Sequence, residues 1–211
     1  MAIGTYSELQ TAVANWLDRA DLTSRIPEFI QLAEARIKAE VRIREMLERA
    51  DLAIADGDRY VTLPTDFLDH KYLRLKIPDV TTGRRYYPDI TEVSIHELTL
   101  KSVNDARTPQ FYAIHETLEI DSEADQAYTA EIYYYKHIVA LATTSTNVLL
   151  TRSPNVYLFA SLAEAAPFLM GDERVPLWEG KYTQTRDALN KSQLASRRGG
   201  PLVSRIAGST P

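Results

Sequence analysis

Tyr128-Thr129-Ala130-Glu131-Ile132-Tyr133-Tyr134-Tyr135-Lys136 alternates without a break. Tyr128, Ala130, Ile132 and Tyr134 share one face, and Glu131, Tyr133 and Tyr135 share the other, which is the period of a half-buried strand. Three adjacent tyrosines suit such a strand, because each ring adds buried area while its hydroxyl stays wet. The same period marks further strands at 72–77, 84–90, 110–115 and 117–121. Residues 52–63 carry Asp56-Gly57-Asp58 between two short apolar runs, and this pattern predicts a β-hairpin. Residues 91–100 read as a short helix between strands.

On both sides of this region the period becomes helical. Thr5 and Glu8 have the spacing of a capping box, and Leu9, Val13, Trp16 and Leu17 follow on one helix face. After a polar break at 18–24, Ile26, Ile30, Ala33, Ile37 and Val41 repeat at three and four residues, with Glu34, Lys38, Arg42 and Arg44 on other faces. The two segments predict a helical hairpin. Beyond Asn147, Ser153 is placed to cap a helix with Pro154 in its first turn. From 156 to 170 two apolar stripes appear, one of Val156, Phe159, Ala163 and Met170, the other of Leu158, Leu162, Ala165 and Leu169. A helix apolar on two sides belongs at the centre of its bundle. Pro167 predicts a kink there, Gly171 an end, and Asp172 a cap for the next helix, where Val175, Trp178, Tyr182, Thr185 and Leu189 recur.

The fold class that follows is α+β: a helical bundle built from the N- and C-terminal helices (1–50 and 147–195), an inserted antiparallel β-rich region (51–146), and a flexible basic tail (196–211). At 211 residues, 45% of them hydrophobic, the chain is long enough for one sizeable core. No apolar run approaches a membrane span and no secretory leader is visible, so no membrane role is expected. The absence of cysteine removes disulfides, thiolate metal sites and a cysteine nucleophile together. The net charge of −5 is uneven. After Asp187 there is no acid, while Lys191, Arg197, Arg198 and Arg205 contribute +4, leaving 20 basic against 29 acidic residues, or −9, on the body. Such a body argues against a general nucleic-acid surface, and the tail suits an acidic partner or simply solubility.

Motifs for chemistry are few. There is no phosphate-cradling glycine loop, no nucleophile elbow and no helical two-histidine motif; His70, His96, His115 and His137 are far apart in sequence. No catalytic residue, metal or cofactor is assigned on these grounds. Asp66 with Asp69, or Glu116 with Glu119, could serve as a carboxylate pair on a glycan, but nothing singles either pair out among 29 acids. The Tyr133–Tyr135 cluster could stack bases, yet no basic residue interleaves it on its own strand. Arg197, Arg198 and Arg205 leave a nucleic-acid binder as a further alternative.

Thr5-Tyr6-Ser7-Glu8-Leu9 with Val13-Ala14-Asn15-Trp16-Leu17 resembles the first helix of the adaptor, or head-completion, proteins that lie between portal and tail in tailed phages. Phe29-Ile30-Gln31-Leu32-Ala33-Glu34-Ala35-Arg36-Ile37 resembles their second helix, and Leu63-Pro64-Thr65-Asp66-Phe67-Leu68 the turn after their first hairpin. Thr108-Pro109-Gln110-Phe111-Tyr112 and the tyrosine strand resemble the middle region. Asn147 to Arg152, Leu162 to Leu169, Asp172-Glu173-Arg174 and Trp178-Glu179 resemble the close. The likeness implies a structural, non-catalytic virion protein of the head–tail junction, assembled in the host cytoplasm. It implies a homo-oligomeric ring, usually a dodecamer, docked on the portal protein ring, extending the DNA channel and holding tail or nozzle proteins. Genomic DNA would pass without sequence-specific binding. By the same likeness the C-terminal segment reaches the portal, which makes Arg197, Arg198, Leu202, Val203, Arg205 and Ile206 the expected portal-binding residues. Some relatives are called peptidoglycan hydrolases, and cell-wall hydrolysis is the alternative function.

Overall fold

The computed structural model describes residues 3–78, 85, 86, 88, 90–102 and 104–197. In chain order its elements begin with α1 (Tyr6–Leu17), α2 (Ile26–Glu40), β1 (Leu47–Ile54), β2 (Tyr60–Thr62), β3 (Phe67–Pro78), β4 (Arg85–Tyr86), β5 (Thr91–Glu92) and α3 (Ile95–Lys101). They continue with β6 (Phe111–Ile114), β7 (Thr117–Ile120), β8 (Tyr128–Lys136), α4 (Leu141–Thr144), α5 (Val148–Arg152), α6 (Pro154–Glu164) and α7 (Val175–Arg197). The class is α+β. Two compact units divide the chain, one of Met1–Arg44 with Ile138–Pro211 and one of Glu45–His137.

In the helical unit, α1 opens on the expected capping box: Thr5 Oγ1 accepts the Glu8 N–H and Glu8 Oε2 accepts the Thr5 N–H. It closes at Asp18, whose left-handed φ of 53° turns the chain. A 3-10 turn at Ala20–Arg25 buries Leu22 and feeds α2, which buries Ile26, Phe29, Ile30, Ala33 and Ile37. The four-residue α4 takes its first N–H bond from outside itself, as Glu34 Oε1 on α2 accepts the Leu141 N–H at 2.8 Å. Central in this unit is α6, which packs on α1, α2, α5 and α7 and buries seven of its eleven residues.

Three local expectations are corrected. The helix expected to run with a kink to Met170 stops at Glu164, and a 3-10 turn follows at Ala166–Phe168. Pro167 has no N–H to continue the α ladder, and Met170 and Gly171 at φ 30° and 87° reverse the chain. Met170 consequently leaves its expected apolar stripe and stands 96% exposed. Ser153 makes no side-chain cap bond; Asn147 caps α5 instead, accepting the Leu150 N–H at 2.9 Å. At the far end α7 carries helix through Ser196 and Arg197, two residues into the stretch expected to be flexible.

The β unit holds two four-stranded sheets, ordered β1-β8-β3-β4 and β2-β7-β6-β5. The tyrosine strand β8 is paired on both sides, with Ile132 opposite Ala50 and Leu73. Its Tyr128, Ala130, Ile132 and Tyr134 face is buried with Leu52, Ile54, Leu73, Leu75, Leu118 and Ile120 in one core. The predicted 52–63 hairpin does not form. Asp56-Gly57-Asp58 does turn, with Gly57 at φ 79°, but the turn hands the chain from one sheet to the other, so β1 pairs β8 and β2 pairs β7. Backbone bonds from Gly57 to Ala124 and from Ala124 to Asp58 hold that corner. The sheets are antiparallel except where β5 runs parallel to β6. Of the helix expected from 91, the first two residues are β5, and Ser94 caps α3 by accepting the Glu97 N–H. Of the strand expected at 84–90, residues 84, 87 and 89 lie outside the described residues.

Candidate functional site

Asp66 with Asp69, and Glu116 with Glu119, are the carboxylate pairs that could act on a glycan. Asp66 accepts the Tyr134 hydroxyl at 2.8 Å, and Asp69 on β3 is half exposed. Glu119 pairs with Arg59 at 2.9 Å, and Glu116 lies exposed on the turn between β6 and β7. Neither pair has one carboxyl enclosed in an apolar pocket, the arrangement that would hold a proton for general acid catalysis. The histidines remain apart: His70 Nε2 is 2.9 Å from Glu92, His96 is exposed, His115 neighbours Thr117, and the His137 N–H bonds the Asp66 carbonyl oxygen. Among the described residues no group of three or more His, Asp or Glu could hold a metal ion.

The face of the first sheet opposite its core is built by cross-strand neighbours. Glu131 lies under a roof of cations: Arg74 Nη2 at 2.6 Å, Lys76 Nζ at 3.0 Å and Arg49 Nη1 at 3.4 Å, with Lys76 also 2.6 Å from Asp51. Desolvation alone would raise the Glu131 carboxyl. Hydrogen bonds from Lys76, Arg74 and Tyr133 outweigh it and hold the pKa at about 2. Beside this cluster Lys71, Tyr72, Arg74 and Tyr133 line a shallow depression of about 450 Å³, with the Tyr72 and Tyr133 rings 6.2 Å apart. The sequence shows no basic residue interleaved with Tyr133 on its own strand. The fold supplies Arg74 and Lys71 from β3, two positions that register alone brings beside it.

A second cluster fixes α7 against α2 and α6. The Arg36 guanidinium forks onto Glu179, with Nη1 at 2.9 Å from Oε2, lies 4.3 Å from the Tyr182 ring centroid, and also meets Glu40 and Glu164. Glu40 accepts Arg186 Nη1 at 2.7 Å and the Tyr182 hydroxyl at 3.0 Å, and these bonds lower its pKa against the opposing effect of burial. Desolvation, then the bond to Glu40, pushes the Tyr182 phenol well above its ordinary value. These residues were not among the sequence candidates. Their helical spacing marks a polar face, while the partners lie about 140 residues apart along the chain. The chemistry available here is positional, holding the last helix at a fixed angle through charge-assisted bonds.

Of the expected portal-binding residues, Arg197 is the last residue of α7, while Arg198, Leu202, Val203, Arg205 and Ile206 lie outside the described residues. Among the described residues no helix is long and apolar enough to cross a membrane.

The charged clusters of this α+β chain orient helices and strands through cross-strand and interhelical ion pairs. The sequence profile described as SU10 adaptor protein matches residues 4–205, and the chain belongs to that family. No curated protein matches it. Membership makes the chain a phage structural adaptor and a component of the virion that interacts with other phage head and tail proteins.

Proposed function

We propose that this protein is the head-to-tail adaptor of its phage, a ring of identical subunits, twelve by analogy with similar proteins, docked beneath the portal. The ring extends the DNA channel and presents a platform to tail or nozzle proteins. The observation that carries this reading is the family match, which begins at residue 4 and continues to residue 205, past the end of α7 and into the basic tail. Arg197, Arg198 and Arg205, with Leu202, Val203 and Ile206, supply a positive, partly apolar segment suited to folding against an acidic portal surface. The body is acidic, and twelve bodies of −9 would place roughly −108 around the channel, a field that repels DNA and keeps it sliding. Assembly would precede release of the virion, in the host cytoplasm. The proposed role is non-enzymatic, and cell-wall hydrolysis is the alternative reading.

The test is the mass of the chain mixed with its phage's portal ring, compared with the chain alone. A stoichiometric complex counts the subunits directly, and removal of residues 198–211 should abolish docking while leaving the helical and β units folded. A well-folded chain that forms no complex with its portal sinks the reading. Docking that survives the truncation removes the tail from the mechanism.

A further inference from the structure

Lys71 and Tyr72 are neighbours on β3, where a regular strand would send their side chains to opposite faces. The register changes between His70, opposite Tyr134, and Tyr72, opposite Tyr133, so Lys71 is the extra residue of a β-bulge. The bulge brings both side chains to one place: Lys71, Tyr72, Arg74 and Tyr133 line the same depression on the outer face of the first sheet. Two of these residues are cations, two are aromatic, and no carboxylate is among them. Tyr72 is 38% exposed, and Lys71 is exposed and forms no ion pair among the described residues. Beside them Arg74 and Tyr133 are both bonded to the Glu131 carboxylate, so one ring and one cation are fixed before anything binds.

We infer that this depression holds one nucleotide of a single-stranded nucleic acid, its base on the Tyr72 ring and its phosphate beside Lys71 and Arg74. The local charge has the sign such a ligand needs, although the chain as a whole carries −5. On this face Arg49, Lys71, Arg74 and Lys76 stand against Asp51, Asp69 and Glu131, four cations to three carboxylates, or +1, which leaves −6 on the remainder. Glu131 is 2% exposed beneath Arg74, Lys76 and Arg49, and Asp51 is 2.6 Å from Lys76, so two of those carboxylates are already neutralised. An acidic peptide would use the cations and leave the ring idle. A nucleotide uses both, since every base has a π face and every linkage a charge. A duplex presents phosphates but keeps its bases stacked inside, so an exposed ring beside the cations favours a single strand. The inference is independent of the connector reading, because it concerns the isolated chain.

The probe is a fluorescein-labelled oligothymidine of about 12 nucleotides, mixed with the full-length chain at low ionic strength and followed by anisotropy. Binding is expected, and it should weaken as salt is added. Lys71→Gln should reduce the slope of log affinity against log salt by about 0.7, and Tyr72→Ala should weaken binding about tenfold, each with an unchanged circular dichroism spectrum. No binding at low salt overturns the assignment, as does binding that neither variant changes. Binding that disappears only when Arg197, Arg198 and Arg205 are together replaced by glutamine belongs to the tail, and overturns it too. A duplex of the same length that binds as tightly as the single strand also overturns it, since stacking on Tyr72 would then contribute nothing. Where Tyr72→Ala disturbs the sheet, Lys71→Glu, a change at an exposed bulge, decides instead: lost affinity supports the assignment and retained affinity overturns it.

Discussion

Asn190 on α7 closes the C-terminal end of α2 at Glu40: its Nδ2 donates to the Glu40 carbonyl oxygen at 3.0 Å, and its Oδ1 accepts the Arg42 N–H at 3.3 Å. The last carbonyls of a helix have no partner within it, and here one is satisfied by an amide 150 residues further along the chain. Asn190 thus behaves as a short piece of backbone that joins the end of α2 to α7. Replacing Asn190 with Ala should cost about 1–2 kcal/mol, since a donor and an acceptor lose their partners at once. The check is the denaturant midpoint at an unchanged slope. Asn190→Asp keeps only the acceptor, sets a negative charge beside Glu40, and should be no better than Ala.

Arg36 calls for a different substitution. Lysine keeps the charge but loses the planar fork onto Glu179 and most of the stacking 4.3 Å from the Tyr182 ring. Arg36→Lys should therefore destabilise by about 1–2 kcal/mol. Tyr182→Phe, which removes only the bond to Glu40, should cost about 1 kcal/mol. The two effects should fall short of additivity in the double variant, because both act through Glu40. Strict additivity in a double-mutant cycle would show that the cluster does not act as one unit.

Acid should act on Glu131 and on Glu34 with opposite signs. The carboxyl of Glu131 is held at about 2, below its unfolded value near 4.5, so its contribution is present above that value and is lost as pH falls from about 4.5 towards 2. Glu131→Gln should flatten the acid limb of the stability curve across that window. Glu34 runs the other way: burial raises its pKa despite the bond from the Leu141 N–H, so the charged form weighs against folding at neutral pH and the penalty fades as pH falls. Glu34→Gln keeps an acceptor for Leu141 and should leave stability at pH 7 equal or slightly higher, with nothing gained on acidification. A urea titration at several pH values separates the two.

The parts of this fold legible in the sequence are those whose partners are local. Thr5 and Glu8 sit three apart and do what their spacing says; Ile26, Ile30, Ala33 and Ile37 line one face of α2 and are buried on it. The tyrosine strand was legible for the same reason, since alternation reports a half-buried strand whichever strands flank it. The hairpin at Asp56-Gly57-Asp58 was misread because a turn signal fixes the local reversal and leaves open which strand each arm will join. Ala124, 67 residues after Gly57, decides that here. The candidate surfaces failed by the same logic. Nothing near Tyr133 in the chain points to Arg74, and nothing near Arg36 points to Glu179, because each pairing is created by register or by helix packing. Pro167 was correctly read as a disturbance, but whether it kinks or ends a helix depends on the reversal that Met170 and Gly171 make after it.

That reversal supplies the last prediction. Glycine adopts a left-handed conformation without the steric penalty that Met170 meets at φ 30°, a penalty of roughly 1–2 kcal/mol for a residue bearing a Cβ. Part of the gain is offset by the greater freedom of glycine in the unfolded chain, roughly 0.5–1 kcal/mol. The methionine side chain is almost wholly in solvent, so its removal forfeits little packing within the subunit. Met170→Gly should accordingly leave the isolated chain as stable as wild type or up to about 1 kcal/mol more stable, read from its denaturant midpoint. Lower stability of the isolated chain would mean that the methionine packs within its own subunit, and the strain would then need another explanation.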